Sequence, residues 1–143
     1  EGSAVLLGHE KVSFYEAVPE FLVAVDGNDS VIGAGALHVM WEDLAEVRSM
    51  VVAEEVRGTG VGSAVLEALI AKARELGIKR VFCLTFETTF FGKFGFQEIS
   101  DVPVDEATFD QMVRSHDDGV AEFLDLARVK QNTLGNTRML KTL

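Results

Sequence analysis

The first part of the chain contains three short stretches in which apolar residues tend to recur at every second position. Phe21 to Val25, Val31 to Val39 and Leu44 to Val52 have this period, which is typical of β-strands with one buried face. The first two stretches are separated by Asp26-Gly27-Asn28-Asp29, residue types that tolerate positive φ and favour a hairpin turn. The pattern therefore predicts three consecutive antiparallel strands.

Alternation along the third strand predicts one charged face and one apolar face. The charged face is predicted to carry Glu46, Arg48, Met50 and Val52. The opposite, core-facing side is predicted to carry Val47, Ser49 and Val51. In the second strand, Gly33 and Gly35 indicate a bulge or the close approach of another backbone.

Further along, the period changes to that of a helix. From Ala64 to Glu75, apolar residues recur at i, i+3, i+4 and i+7, which predicts a core-facing stripe of Leu66, Leu69, Ile70, Ala73 and Leu76. Gly77 is placed to end this helix. Lys79 to Thr85 is predicted to be a strand parallel to the third one, because a strand, a crossover helix and a second strand require that orientation.

The remaining predicted elements are shorter. A helical turn is predicted from Val12 to Val18, ending before Pro19 because the residue that precedes a proline disfavours the helical conformation. After the parallel strand, the pattern predicts a short helix from Phe90 to Phe94, closed by Gly95, and a strand from Phe96 to Ile99. It then predicts a helix from Thr108 to Ser115 and a last strand from Arg138 to Leu143, while Val120 to Val129 is compatible with either structure.

The segment between the third strand and the long helix has the composition of an anion-binding loop. It consists of Arg57, Gly58, Thr59, Gly60, Val61, Gly62 and Ser63. Glycines leave backbone N–H groups unshielded by side chains, so that several of them can point at one phosphate. Ser63 is predicted to open the helix, whose first-turn N–H groups and dipole attract the same anion. The alternative is a glycine-rich turn that binds no ligand.

Spacing excludes two nucleotide-binding motifs. A Walker A loop ends in Gly-Lys-Ser or Gly-Lys-Thr, whereas this loop ends in Val61-Gly62-Ser63 without a lysine. A dinucleotide fingerprint needs a glycine where Ser63 stands and an acidic residue about twenty positions later, where Arg80 to Cys83 lie. ATP and dinucleotides are therefore not expected as ligands.

Length and charge narrow the classes of partner. The chain has 143 residues, of which 48% are apolar, which is sufficient for one domain with a core. Its formal net charge of −10 argues against nucleic acid and anionic membranes. Anionic ligands would require the basic residues to be concentrated near the site. The stretch after Asp125 contains such a concentration of basic residues, namely Arg128, Lys130, Arg138 and Lys141. The alternative is a solvated basic tail.

Cysteine and histidine give no sign of nucleophilic or metal chemistry. Cys83 lies in an apolar run and is expected to be buried, without a partner for a disulfide. His38 and His116 have no paired carboxylate or metal-ligand spacing, so neither catalysis nor a metal site is expected from them. No signal peptide or membrane-spanning stretch is visible, which makes the cytoplasm the expected compartment.

The loop Arg57-x-x-Gly60-x-Gly62, after a strand and before an amphipathic helix, resembles the pyrophosphate-binding motif of the GNAT acetyltransferase superfamily. Met50 to Phe96 also follows the superfamily order of strand, loop, helix, strand and short helix. More narrowly, the chain is similar to the short, single-domain N-acetylglutamate synthases in Tyr15-Glu16-Ala17-Val18, Gly35-Ala36-Leu37-His38-Val39, Leu84-Thr85-Phe86-Glu87-Thr88 and Asn132-Thr133-Leu134-Gly135-Asn136-Thr137-Arg138-Met139-Leu140.

The resemblance implies an α/β GNAT fold: a mixed, mostly antiparallel sheet with a parallel pair splayed at the acetyl-CoA site and helices on both faces. It implies a single acetyltransferase domain over residues 1–143, expected to lack the superfamily's first strand and helix. The amino-acid-kinase domain of longer synthases is not expected. The implied reaction is direct transfer of acetyl from acetyl-CoA to the α-amine of glutamate, the first step of arginine biosynthesis. A homodimer is compatible with the resemblance.

For the cosubstrate, the resemblance implies that residues 57–63 bind the pyrophosphate and that pantetheine lies along the end of the third strand, at Met50, Val51 and Val52. The backbone N–H near Val51 is then placed to polarise the thioester carbonyl. Phe91 stands where superfamily members often have a tyrosine that protonates the leaving thiolate, so Phe91 can only pack against the pantetheine.

For the acceptor, the resemblance implies that Glu46 is the general base. A surface ion pair between Glu46 and Arg48 is the alternative. Arg48 is expected to bind the α-carboxylate, and Lys130 or Arg138 is expected to bind the side-chain carboxylate. Thr85 is expected to line the amino-acid pocket.

Two alternatives remain open at the level of function. Gly135 stands where longer family members have an arginine, and glutamine differs from glutamate in one charged group. Glutamine or another small amine is therefore the alternative acceptor. A regulatory domain that binds CoA without catalysis is the alternative function, favoured by the missing tyrosine and the missing first strand and helix.

Overall fold

The structure, a computed structural model, describes residues 15–126 and 135–143. Its strands are β1 (Phe21–Val25), β2 (Val31–Trp41), β3 (Leu44–Val52), β4 (Arg80–Thr85), β5 (Gln97–Glu98) and β6 (Thr137–Thr142). Its helices are α1 (Val61–Glu75), α2 (Thr88–Gly92), α3 (Glu106–Met112) and α4 (Asp118–Phe123). Within these residues the strands form one mixed sheet in the order β1-β2-β3-β4-β6-β5. The predicted α/β class is confirmed, and so is the parallel orientation of β3 and β4.

The chain divides into two compact units, Glu1–His38 with Val47–Gly77, and Val39–Glu46 with Ile78–Leu143. In the first unit, β1 and β2 form the predicted hairpin, with a register shift between Ala24 and Val25. Its turn is closed by Asp26, whose Oδ1 accepts hydrogen bonds from the N–H groups two and four residues later at 2.8 and 3.0 Å. Asp29 takes the positive φ of 62° that the turn requires.

Gly33 and Gly35 of β2 lie against α1 in the same unit. A Cβ built on Gly33 would lie 2.7 Å from Cγ1 of Val61, and one on Gly35 would lie 2.9 Å from Cδ1 of Leu69. A side chain at either position would therefore force these side chains of α1 to shift. The two glycines mark a close approach, but the nearest atoms belong to side chains and not to another backbone as predicted.

The apolar stripe of α1 differs from the prediction at its two ends, since it includes Val65 and does not include Leu76. The buried residues are Val65, Leu66, Leu69, Ile70 and Ala73. Leu76 is 55% exposed, so its predicted place in the stripe is wrong. The reason is that Leu76 lies at the C-cap, where the chain leaves the helix, and Gly77 follows with a φ of 82°.

β3 contains an irregularity that the alternating pattern does not reveal. Ser49 has a φ of 58°, and a left-handed residue inside a strand is typical of a bulge that redirects the following side chains. Met50 lies with Val65 and Leu69 around Gly35, where a built Cβ would be 3.2 Å from Cγ of Met50. The charged face predicted to run from Glu46 to Val52 is therefore not continued regularly past Ser49.

In the second unit, the parallel pair places Glu46 of β3 opposite Phe82 of β4. β6 runs antiparallel to β4, with Leu84 opposite Arg138, and β5 pairs with the outer edge of β6. The core of this unit brings together β3, β4, α3 and α4 through Leu44, Phe82, Met112, Val120, Phe123 and Leu124.

The ends of two predicted elements differ from the structure. Residues 15–17 are helical and lead into a 3₁₀ turn, Val18–Glu20, which contains Pro19, so the predicted end before the proline is wrong. Proline is tolerated at the start of a helical turn, where its missing N–H has no partner to lose. α2 begins two residues before the predicted Phe90, and Gly95, with a φ of 91°, follows the turn after it. Residues 11–14 lie outside the described part.

Aspartates begin the last two helices. Asp105 accepts a hydrogen bond from the Thr108 N–H at 2.7 Å, and Asp117 accepts one from the Val120 N–H at 3.0 Å. The segment that starts at Val120 is therefore helical up to Phe123, which resolves the choice left open by its pattern. Residues 127–129 of that prediction lie outside the described part of the chain.

Candidate functional site

The loop that joins β3 to α1 contains two residues with a left-handed backbone. The φ angle is 80° at Gly58 and 96° at Gly60, values that an L side chain rarely adopts. A Cβ built on either glycine meets nothing within 4 Å, so the backbone conformation, not packing, requires glycine there. The hydroxyl of Thr59 donates to the carbonyl of Val56. The surface of the loop at the two glycines is therefore backbone.

α1 begins three residues earlier than its predicted start at Ala64. Gly60 is the N-cap, no side chain caps the helix, and the Ala64 N–H donates to the Gly60 carbonyl at 3.0 Å. The N–H groups of Val61, Gly62 and Ser63 belong to the first turn and have no acceptor within the helix. The prediction that Ser63 opens the helix is wrong, but the uncapped turn retains the geometry of an anion site.

Arg57 precedes this turn with an exposed side chain. Its backbone is extended, and its N–H donates to the Glu54 carbonyl at 3.2 Å. The guanidinium is thus exposed to solvent, and Arg57 is adjacent in sequence to the glycines. A cation at this position can add to the attraction of the helix dipole for an anion. Met50, Val51 and Val52, at the end of β3, are half-buried.

Glu46 is a buried carboxylate, with 6% of the residue exposed. It lies opposite Phe82 in the parallel pair, and it shares a strand face with Leu44, two residues earlier. Glu46 is therefore not a surface residue, but its burial does not test the alternative of an ion pair with Arg48. A buried carboxylate is tolerated when it is paired or hydrogen-bonded, and buried titratable groups are frequent at functional sites, which makes Glu46 a candidate functional residue.

Cys83 is buried in β4, as predicted. Burial raises the pKa of its thiol well above the ordinary value, and the negative charge of Glu46 raises it further. The thiol is therefore protonated at neutral pH and a poor nucleophile.

Native Cys83 should resist alkylation by iodoacetamide at about pH 8 and react fully in denaturant, which mass spectrometry can measure. Because the folded thiol keeps its proton where the unfolded thiol loses it, the free energy of unfolding should also fall as pH rises above the ordinary pKa of cysteine. Cys83→Ala is the control and should lack this alkaline contribution. Labelling of the native protein at the rate of a free thiol would contradict the prediction.

Thr85, at the end of β4, is buried, and its hydroxyl accepts a hydrogen bond from the Glu87 N–H at 2.7 Å. It lies opposite Thr137 in the ladder, whereas Leu84 lies opposite Arg138. Since successive side chains alternate across a sheet, Thr85 and Arg138 project to opposite faces of the β4–β6 pair. The expected place of Thr85 in an amino-acid pocket stays a prediction.

Phe91 is buried within an aromatic cluster of the second unit. Its ring makes edge-to-face contacts with Phe90 and Phe96, with centroid distances of 5.2 Å in both cases. This packing fixes the ring by protein contacts alone. Contact of Phe91 with pantetheine stays a prediction.

The guanidinium of Arg138 is turned towards backbone carbonyls. It donates to the carbonyls of Ile99, Asp101, Glu122 and Phe123. Sequence reasoning assigned this side chain to a substrate carboxylate and had no signal for these contacts. Lys130, the other residue assigned to that carboxylate, lies outside the described residues, and Arg48 is half-buried in β3.

The histidines differ from each other. Nδ1 of His38 lies 2.7 Å from Oε2 of Glu20, so the prediction that His38 lacks a paired carboxylate is wrong. His116 is exposed.

Among residues 15–126 and 135–143, no group of three or more histidine, cysteine, aspartate or glutamate side chains is placed to hold a metal ion. In the same residues, no helix has the length and apolar character needed to cross a membrane.

Comparisons with known proteins agree with this geometry. The sequence profile described as "Acetyltransferase (GNAT) family" matches residues 6–96. An amino-acid acetyltransferase of Mycobacterium tuberculosis is 52% identical over 141 residues, covering 97% of this chain and 81% of the relative. The crystal structure of the Mycobacterium tuberculosis protein Rv2747, in complex with CoA and NLQ, has a TM-score of 0.92 at 51% identity and covers 97% of this chain and 85% of its own.

One more distant protein of the same fold is much longer. The N-acetylglutamate synthase of Neisseria gonorrhoeae, complexed with coenzyme A and N-acetyl-glutamate, shares the fold with a TM-score of 0.72 at 22% identity. This chain is covered to 96% in that comparison but spans only 29% of the synthase. The family match over residues 6–96 and the identity to the Mycobacterium tuberculosis relative agree with the uncapped helix turn and its glycine loop. The chain therefore belongs to the GNAT family of acetyltransferases.

Proposed function

We propose that this chain is an amino-acid N-acetyltransferase that transfers the acetyl group of acetyl-CoA to the α-amine of glutamate. Acetyl-CoA is the cosubstrate of the GNAT family to which the chain belongs. The observation that carries the proposal is the loop at Gly58 and Gly60, which leads directly into an uncapped helix N-terminus suited to a pyrophosphate. The name of the Mycobacterium tuberculosis relative supports an amino acid as the acceptor.

The reaction is proposed to proceed without a covalent enzyme intermediate. The neutral amine nitrogen attacks the thioester carbonyl carbon and the C–N bond forms; the nitrogen then loses its extra proton to solvent, the C–S bond breaks, and CoA leaves as a thiolate. The backbone N–H near Val51 is proposed to stabilise the oxyanion of the tetrahedral intermediate. The left-handed residue at Ser49 supports this role, because such a residue inside a strand is typical of a bulge, which takes neighbouring backbone groups out of the regular ladder.

Proton transfer is assigned to Glu46. An α-ammonium group has a pKa of about 8 and is mostly protonated at neutral pH, so a base must remove its proton before attack. Glu46 is buried and belongs to the same strand as Val51. Phe91 has no proton to give, so solvent protonates the departing thiolate.

Cations are proposed to bind the carboxylates of the acceptor. Arg48, two residues from Glu46 on β3, is assigned to the α-carboxylate, because a guanidinium can hold a carboxylate with two parallel hydrogen bonds. Lys130 is assigned to the side-chain carboxylate.

Glutamine is the second candidate acceptor, and Gly135 favours it. Gly135 has a φ of 92°, and a Cβ built on it would lie 3.2 Å from Cε1 of Phe86. A long cationic side chain at this position would be strained both by the backbone and by the phenylalanine ring. Glycine thus supplies no cation at the position that resembles an arginine site of longer synthases.

Thiol release from acetyl-CoA, measured with a panel of amino acids, tests the proposed function. We expect glutamate or glutamine to support release on the order of 100-fold above the rate without an acceptor, and other amino acids to be at least about tenfold poorer in kcat/KM. Mass spectrometry should show the acetyl group on the α-nitrogen. Binding of acetyl-CoA without release in the presence of any amino acid would reject catalysis in favour of a CoA-binding domain.

A further inference from the structure

The side chain of Arg138 gathers the carbonyls of two chain segments in the second unit. Nε donates to Glu122 at 3.0 Å, Nη2 donates to Asp101 at 3.0 Å and also to Phe123, and Nη1 donates to Ile99 at 3.5 Å. A guanidinium has five N–H donors. Within the described part of the chain these contacts use four of them, so the two parallel donors needed to grip a carboxylate are not both available.

Two of the acceptors belong to the end of α4. Glu122 and Phe123 are its last residues, and the Glu122 carbonyl also accepts a hydrogen bond from the Asp125 N–H at 3.1 Å. Arg138 donates to both carbonyls and places a cation at the end of the helix, where carbonyl oxygens cluster. The other acceptors, Ile99 and Asp101, follow β5, and the Ile99 N–H donates to the backbone carbonyl of Arg138 at 2.9 Å. Arg138 therefore joins α4 and the chain after β5 to β6.

The held end of α4 packs against Phe82 of β4. Phe123 is fully buried, and its ring meets the ring of Phe82 edge to face, with centroids 5.3 Å apart and planes at 83°. Phe82 is the residue opposite Glu46 in the parallel pair, and Leu44, on the same strand face as Glu46, belongs to the same core. Arg138 is thus linked to the surroundings of Glu46 through Phe123 and Phe82.

We infer that Arg138 is a positioning residue for Glu46 and not a ligand of the substrate. This inference rests on the proposed function, in which Glu46 is the base. By fixing the end of α4, Arg138 fixes Phe123, and Phe123 fixes the ring of Phe82 beside the carboxylate. Loss of the guanidinium lets the rings of Phe123 and Phe82 shift, so the Glu46 carboxylate meets the amine in a less productive geometry. The charges that bind the amino acid are unchanged.

The test is the steady-state kinetics of Arg138→Gln and Arg138→Lys on glutamate and on glutamine. For Arg138→Gln we expect kcat to fall about tenfold with both acceptors, KM to stay within about threefold, and the pH profile of kcat to be displaced. Arg138→Lys, which keeps the charge and some donors, should be intermediate. Arg80→Gln is the control, because Arg80 also donates to a backbone carbonyl, that of Pro103 at 2.6 Å, and should leave kcat unchanged.

Two outcomes would overturn the inference. A rise in KM for glutamate alone, with a changed glutamate-to-glutamine ratio of kcat/KM, would assign Arg138 to the substrate. A lower melting temperature with unchanged kcat and pH profile in the folded variant would leave only a structural role. If Arg138→Gln does not fold, Phe123→Leu keeps the guanidinium and removes the ring contact, and it should reproduce the displaced pH profile. An inactive wild-type chain would instead reject the proposed function.

Discussion

Replacing Gly60 by valine is expected to abolish the binding of acetyl-CoA. Gly60 has a φ of 96° and is the N-cap of α1, so a β-branched residue there costs about 1–2 kcal/mol in backbone strain or moves the start of the helix. The added side chain is also expected to hinder the approach of the pyrophosphate to the N–H groups of the first turn. Isothermal titration calorimetry should show affinity weakened at least about 100-fold, equivalent to roughly 3 kcal/mol.

Gly77→Val is the matched control for this experiment. Gly77 follows the other end of α1 with a φ of 82°, and a Cβ there also meets nothing within 4 Å. The two variants therefore carry a similar backbone penalty, but only Gly60 borders the proposed anion site. Equal loss of affinity in both would indicate a general effect of destabilising the helix. Affinity retained by Gly60→Val would remove the loop from the site.

Glu46→Gln is expected to lower kcat on the order of 10²-fold while the affinity for acetyl-CoA is retained. The amide cannot accept the proton of the α-ammonium group, and its nearly equal size leaves the packing around Phe82 intact. The deficit should shrink as pH rises, because a growing fraction of the amine is then neutral without help from the enzyme. The measurement is the pH dependence of kcat for the variant and the wild type.

Glu122→Gln is the control for the loss of a buried carboxylate. Glu122 is as buried as Glu46, at 6% exposure, and belongs to the same unit. If Glu46 acts as the base, Glu122→Gln should change kcat by less than about threefold and leave its pH dependence as it is. A pH profile of Glu46→Gln that parallels the wild type would point to another base or to water.

The sequence was most informative where one regular period continues over a whole element. The bounds of β1 and β3 coincide with their alternating stretches, and the helical period located the body of α1. The glycine loop was recognised because its residue types limit the backbone to a few purposes. These signals are local, so they can be read without knowledge of the packing.

Features that depend on distant residues were not predictable in the same way. The left-handed conformation of Ser49 has no residue-type signal, since serine is common in regular strands and in turns alike. The burial of Glu46 depends on the pairing of β3 with β4, which lie far apart in the chain. Arg138 was assigned from its charge, whereas its contacts are with carbonyls 15 to 39 positions away, which no motif encodes.

The uncapped start of α1 has a consequence for the energetics of folding. A serine or aspartate at the N-cap stabilises a helix by roughly a few tenths of a kcal/mol relative to glycine, and α1 does without it, since Gly60 offers no side-chain acceptor. In the proposed complex the pyrophosphate takes the place of the absent cap, which couples ligand binding to the formation of the first helical turn. We therefore expect the stability of this part of the chain to rise with the concentration of acetyl-CoA.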